Sequence, residues 1–189
     1  MNRKCLQKFQ IKDVVFLAIM SAVALVTCAV MPLVISLQPL IFGISQLVTA
    51  LQIGVFFAIG LYKVRKPGSL LIMALMMGLI QLMMSPPMFL SSVLNGVLIE
   101  LIVLLLFRGY EKDAAVFVAA MLHTPLSLPF NYLYNRLVKG TDSPLAAVAD
   151  RAPLAAVGMT LAVVAVSALG ALIGIKIARE LKKSGVLKK

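Results

Sequence analysis

The chain has 189 residues, 61% hydrophobic and 13% charged, where an ordinary soluble domain has about 45–50% apolar and about 25% charged residues. That composition excludes a soluble globular domain: a bilayer crossing takes roughly 20 apolar residues, so the apolar complement suffices for five or six crossings with little chain left over. The formal net charge is +11, but Lys and Arg lie between the apolar runs and at the ends with almost no interleaved aromatics, which is the pattern of cytoplasmic membrane loops rather than of a nucleic-acid surface.

The first apolar run extends from about Val14 to Leu37, behind Arg3, Lys4, Lys8 and Lys12. Its length and the five runs that follow set it apart from a signal peptide. Segment two spans about Leu40 to Tyr62, after a minimal turn at Gln38-Pro39, and stops at the basic punctuation Lys63, Arg65, Lys66, Pro67, Gly68. Segment three covers about Ser69 to Met84 and is closed by Ser85-Pro86-Pro87, read as a turn because proline removes donors and clashes with a preceding helical turn. Segment four runs from about Met88 to Phe107. Segment five, about Asp113 to Leu137, carries Pro125 and Pro129 and is expected to kink. A polar loop, Lys139 to Arg151, leads to segment six, about Pro153 to Ile177, whose Gly170 and Gly174 form a small-xxx-small pair suited to close helix packing.

These runs predict an all-α membrane protein: one six-helix domain, residues 1–189. Fifteen of the eighteen Lys and Arg fall at the amino terminus, after segments two and four, and from Lys176 onward, whereas three (Arg136, Lys139, Arg151) fall in the remaining gaps. The positive-inside rule then places both termini in the cytoplasm. Cys5 and Cys28 form neither a metal-ligand cluster nor a disulfide framework.

Ionisable groups deep in apolar sequence are costly and are functional hypotheses by default. Glu100 in segment four and His123 in segment five meet that description, lying about 12 Å and about 15 Å from the cytoplasmic ends of adjacent antiparallel helices. Two readings stay open: Glu100 faces a cavity and holds a polar or cationic ligand, or the two residues satisfy each other. Asn95, Gln81, Gln46, Gln52, Asn131, Tyr132 and Asn135 form a second tier, several of them at or above the midplane, where interhelical hydrogen bonding competes with ligand contact. No HExxH, GxSxG or P-loop occurs, so neither catalysis, a metal centre nor a cofactor is expected, and any ATP must be used by a partner.

Six short spans, the pair Ala18-xxx-Ala22, the loop Arg65-Lys66-Pro67-Gly68, the stretch Gly96 to Glu100, and Gly170 to Gly174 followed by a basic tail together resemble the substrate-binding S component of an energy-coupling factor (ECF) importer. The resemblance implies a plasma-membrane protein of a bacterium that binds a water-soluble vitamin or related micronutrient on the outer side. It also implies as partners a transmembrane coupling subunit, docked through Ala18 and Ala22, and two cytoplasmic ATPase subunits. By the same resemblance Glu100 contacts the ligand, with thiamine or its pyrimidine precursor as first choice. The chain has no Trp, so an aromatic sandwich would have to draw on Tyr132, Tyr134, Phe130 or Phe89, and the loop Gly140 to Arg151, with Asp142 and Asp150, would close over the solute. The rival reading is a self-sufficient secondary transporter or small channel with Glu100 and His123 as a proton relay, disfavoured by the lack of an internal repeat. A non-transporting scaffold is the third.

Overall fold

A computed structural model describes residues 8–28, 34, 36–37, 40–83, 85–138, 140 and 143–186, the side chains of 144–146 excepted. Among these residues there are seven helices: α1 (Ile11–Thr27), α2 (Ile44–Lys63), α3 (Ser69–Leu82), α4 (Pro86–Phe107), α5 (Asp113–Val138), α6 (Pro144–Arg151) and α7 (Pro153–Lys183). Four of them, α2, α4, α5 and α7, are long and apolar enough to cross a membrane, while α3, also apolar, has 14 residues and α1 has 17. Cys5, Gln38-Pro39, Met84, Lys139 and Asp142 lie outside the described residues.

Several boundaries differ from those expected, each for a local reason. Helix α1 ends at Thr27, where the Cys28 N–H bonds back to Leu25 and Val26 carbonyls, so the first run is not one helix to Leu37. Pro86 and Pro87 start α4 instead of forming a separate turn. The first-turn N–H groups of a helix have no intrahelical acceptor, so proline loses nothing there. Helix α7 continues through Lys183, and its 31 residues reach about 46 Å at the standard rise, more than a hydrocarbon core. The expected polar loop before it contains α6.

Pairings across helices fix their relative directions. Ser21 Oγ donates to the Met73 carbonyl and Ser92 Oγ to the Ala74 carbonyl, which staples α1 and α4 to α3. Phe57 of α2 stacks on His123 of α5, whereas Gly43, at the other end of α2, abuts Leu128 farther along α5, so these two run antiparallel. Gly170 lies against Leu51 and Gly174 against Val55, so α2 and α7 run parallel. A Cβ on Gly170 would stand 2.5 Å from the Leu51 carbonyl oxygen, and one on Gly54 would stand 2.9 Å from that of Ser167. The small-residue pair therefore serves intramolecular packing of the kind that membrane helices use in place of a hydrophobic driving force.

Helix α2 is the axis of the bundle: 61% of its apolar window is buried, against 22% for α7. Around its Lys63 end, where Phe107, Asp113 and the last turns of α7 gather, sits the main core. Its largest members include Leu17, Phe57, Leu61, Met73, Ile99 and Val116. Toward the opposite end the described residues form a second buried cluster, Ala50, Leu128 and Val163, with Phe42, Leu47, Met159 and Val166 packed on it. Among the described residues, the larger buried apolar cluster thus lies around the Lys63 end.

Candidate functional site

Both ends of the bundle carry polar networks, and the Lys63 end is the more extensively tied. Lys66 pairs with Asp13 at 2.7 Å, joining the loop after α2 to the first turn of α1. Asp13 also accepts from the Gln10 N–H and so caps its own helix. Asp113 is shared by Arg65 and Arg179, which ties that loop to the start of α5 and the end of α7. These are the basic residues that had served only as punctuation in the sequence.

Glu100 belongs to this end. It is 6% exposed; one carboxylate oxygen accepts from the Gly68 N–H at 2.6 Å and the other from the Tyr110 hydroxyl at 2.8 Å. Gly68 is the N-cap of α3, held at φ 92°, a left-handed conformation that glycine adopts without steric cost. It has no side chain with which to cap the helix. The carboxylate reaching across from α4 supplies both the acceptor and the negative charge that a helix amino terminus favours. Burial and the adjacent carboxylate push the Tyr110 hydroxyl well above the usual phenol range, keeping it a donor. Of the two readings left open for Glu100 and His123, mutual pairing does not occur: the carboxylate is turned to Gly68 and Tyr110, and neither imidazole nitrogen has a hydrogen-bond partner among the described residues.

His123 is 5% exposed and lies with its ring centroid 4.4 Å from that of Phe57. The next residue, Thr124, is 3% exposed with an unpartnered hydroxyl, and Asn95 of α4 is 1% exposed with an unpartnered side-chain oxygen. Counted along their helices, Asn95 stands about 18 Å from Phe107 and His123 about 15 Å from Asp113. They therefore occupy one level of the bundle, where the main core reaches His123 through Phe57. Farther out, Gln46 and Thr49 of α2 are also buried, with Ser45 donating to Gln46 and Thr49 donating back to the Ser45 carbonyl. Buried polar atoms without partners are exceptions in folded proteins and call for a cause, and here those of Asn95, His123 and Thr124 gather at one level.

The proline pair in α5 borders this level. Pro125 has no N–H to give the Met121 carbonyl, and Ser167 Oγ of α7 donates to that carbonyl at 2.7 Å, restoring the lost bond from a neighbouring helix. At the far end of α5, Tyr132 and Arg136 both bind Asp150 of α6, and Ser143 donates to Asn135. This fastens the short helix over the end of α5. The Asn131 carbonyl accepts from Asn135. Gln81 is half-buried near the end of α3. Ala18 and Ala22 are half-buried beside the outward stripe Ile11, Val15, Ile19 and Val26 of α1, which is 50–85% exposed.

The structure thus brings Asn95 and His123 to one level and groups Tyr132, Asn135 and Asp150. It separates Glu100 from both sets. At the level of Asn95 and His123, Thr124 is a buried polar residue that sequence reasoning missed; its place beside His123 and before Pro125 was the available signal. Among the described residues no group of three or more His, Cys, Asp or Glu is placed to hold a metal ion.

An all-helical bundle with four membrane-length apolar helices, large aliphatic residues facing outward and its polar side chains turned inward is a multi-pass integral membrane protein. The chain belongs to the family of hypothetical bacterial integral membrane proteins called Trep_Strep, whose model matches residues 11–183. No curated protein and no solved structure matches it.

Proposed function

We propose that this protein is the substrate-binding S component of an ECF-type importer, with six helices set in the bacterial plasma membrane and both termini in the cytoplasm. It would bind a water-soluble, vitamin-sized solute in the outer half and reorient on a coupling subunit that is driven by two separate ATPases. The observation that carries this reading is the polarity gradient along the bundle. The basic end is tied by ion pairs, while deeper along the helices Asn95, His123 and Thr124 hold unpartnered buried polar atoms, and α6 is fastened to the far end of α5.

In this reading Asn95, His123 and Thr124 are the deep ligand contacts. Gln81, Asn131 and Tyr132 lie nearer the rim, and α6 is the lid. Glu100 positions the α2–α3 loop instead of touching solute, which removes the residue that had favoured thiamine and leaves the ligand defined by size and polarity. Ala18 and Ala22, on the partly exposed side of α1, are the docking face. The rival proton relay loses support, since Glu100 and His123 engage different partners.

The test is mass spectrometry of the small molecules that co-purify with the detergent-extracted protein, followed by affinity measurement with the identified compound. A stoichiometric water-soluble micronutrient supports the proposal. Purified protein that retains none, and binds none from a panel of vitamins and their precursors, contradicts it.

A further inference from the structure

Between the first turns of α5 and the last turns of α7 runs an open groove of about 610 Å³, apart from the proposed solute site and at the opposite end of the bundle. Its wall is apolar, formed by Ala114, Phe117, Leu172 and Ile175, and its rim carries Lys176, Arg179 and Lys183. On α7 the order is directional: Leu172 lies one turn nearer the middle of the bundle than Lys176, and Lys183 lies about 16 Å beyond Leu172 at the standard helical rise. Apolar surface at membrane depth thus passes into positive charge toward the end of the helix, the polarity profile of an amphiphile.

The charges there do not cancel. Asp113 is shared by Arg65 and Arg179, so that triad keeps one positive charge. Glu180 neutralises Lys183. Lys176 has neither a salt bridge nor a hydrogen bond among the described residues, and over the groove's own lining three cations, Lys176, Arg179 and Lys183, meet two carboxylates, Asp113 and Glu180, which leaves one net positive charge. We propose that an anionic phospholipid occupies it, with acyl chain along Phe117 and Leu172 and phosphate at Lys176. Basic pockets between helices on the cytoplasmic side are suited to such headgroups. A free phosphate compound would leave the apolar wall unused, and a zwitterionic lipid would leave the charge unmatched. The inference needs the membrane setting only and is independent of any transported solute.

The chain has no tryptophan, so Phe117→Trp gives a single fluorescent reporter in the groove wall. The protein carrying it is reconstituted in vesicles containing brominated phosphatidylglycerol or, separately, the same fraction of brominated phosphatidylcholine. Quenching should show about fivefold preference for phosphatidylglycerol, the factor equivalent to the ~1 kcal/mol that one lysine contributes at an anionic surface. Lys176→Gln should abolish the preference and Lys176→Arg should retain it. Lys182→Gln, which alters a lysine beside the Tyr62 ring, should also retain it. Equal quenching by the two lipids, equal loss in the Lys176 and Lys182 variants, or displacement by soluble glycerol phosphate would each overturn the proposal. Should Lys176→Gln not fold, native mass spectrometry of the unaltered protein decides: selective retention of phosphatidylglycerol supports it, and indifference to headgroup overturns it.

Discussion

Replacing Glu100 by alanine separates a structural carboxylate from a ligand-binding one. The substitution strips the acceptor from the half-buried Gly68 N–H and from the buried Tyr110 hydroxyl. A buried donor left unsatisfied costs about 1–3 kcal/mol, and loss of negative charge at a helix amino terminus adds about 0.3–1 kcal/mol. The Tyr110 hydroxyl carries that cost in full and the half-buried Gly68 N–H only part of it, so with the helix-end contribution the expected loss is ~2–5 kcal/mol, enough to lower the thermal midpoint in detergent by many degrees. Glu100→Gln keeps one carbonyl acceptor for Gly68 and should lose less than half as much. Tyr110→Phe removes only one partner and should fall between the unaltered protein and Glu100→Ala. The assay is thermal denaturation followed by circular dichroism, run beside solute affinity at a temperature where every variant is folded. Unchanged stability in Glu100→Ala together with lost solute affinity would refute the capping argument and return Glu100 to the binding site.

Five further substitutions probe the rest of the account. Gly170→Ala places a methyl 2.5 Å from the Leu51 carbonyl oxygen and should destabilise by about 1–3 kcal/mol through overpacking. The same change at Gly158 meets nothing within 4 Å and should be neutral or stabilising by up to about 1 kcal/mol, as read by parallel melts. Asn95→Leu should weaken solute binding at least tenfold, about 1.4 kcal/mol, in equilibrium titration, with the protein still folded. Ala18→Leu or Ala22→Leu should abolish co-purification with the coupling subunit while sparing solute affinity; survival of the complex in both would place the docking face elsewhere.

Much of the helical layout was legible because hydropathy and basic punctuation are local properties. The run from Leu40 to Tyr62 and the stop at Lys63 report α2 to within a few residues of its ends. The start of α4 was displaced because Pro86-Pro87 is compatible with both a turn and a first helical turn. Helix α6 was not legible: eight residues bounded by Pro144 and Arg151 are too short for an apolar period to register. At the site, sequence identified Glu100 as a costly group requiring partners. It gave no means of choosing them, since Gly68 lies 32 positions away and the Tyr110 contact depends on how the chain turns after α4. His123 drew attention for the same reason as Glu100, yet its neighbour across the helix interface is the Phe57 ring. In each case the missing information was long-range packing.

Uptake of the co-purifying solute into sealed vesicles tests the central claim most directly, comparing the protein alone with the protein reconstituted beside a coupling subunit and its ATPases. An S component predicts binding without accumulation when alone, and ATP-dependent accumulation in the full assembly. Robust accumulation by the protein alone, driven by a proton gradient, would contradict the account.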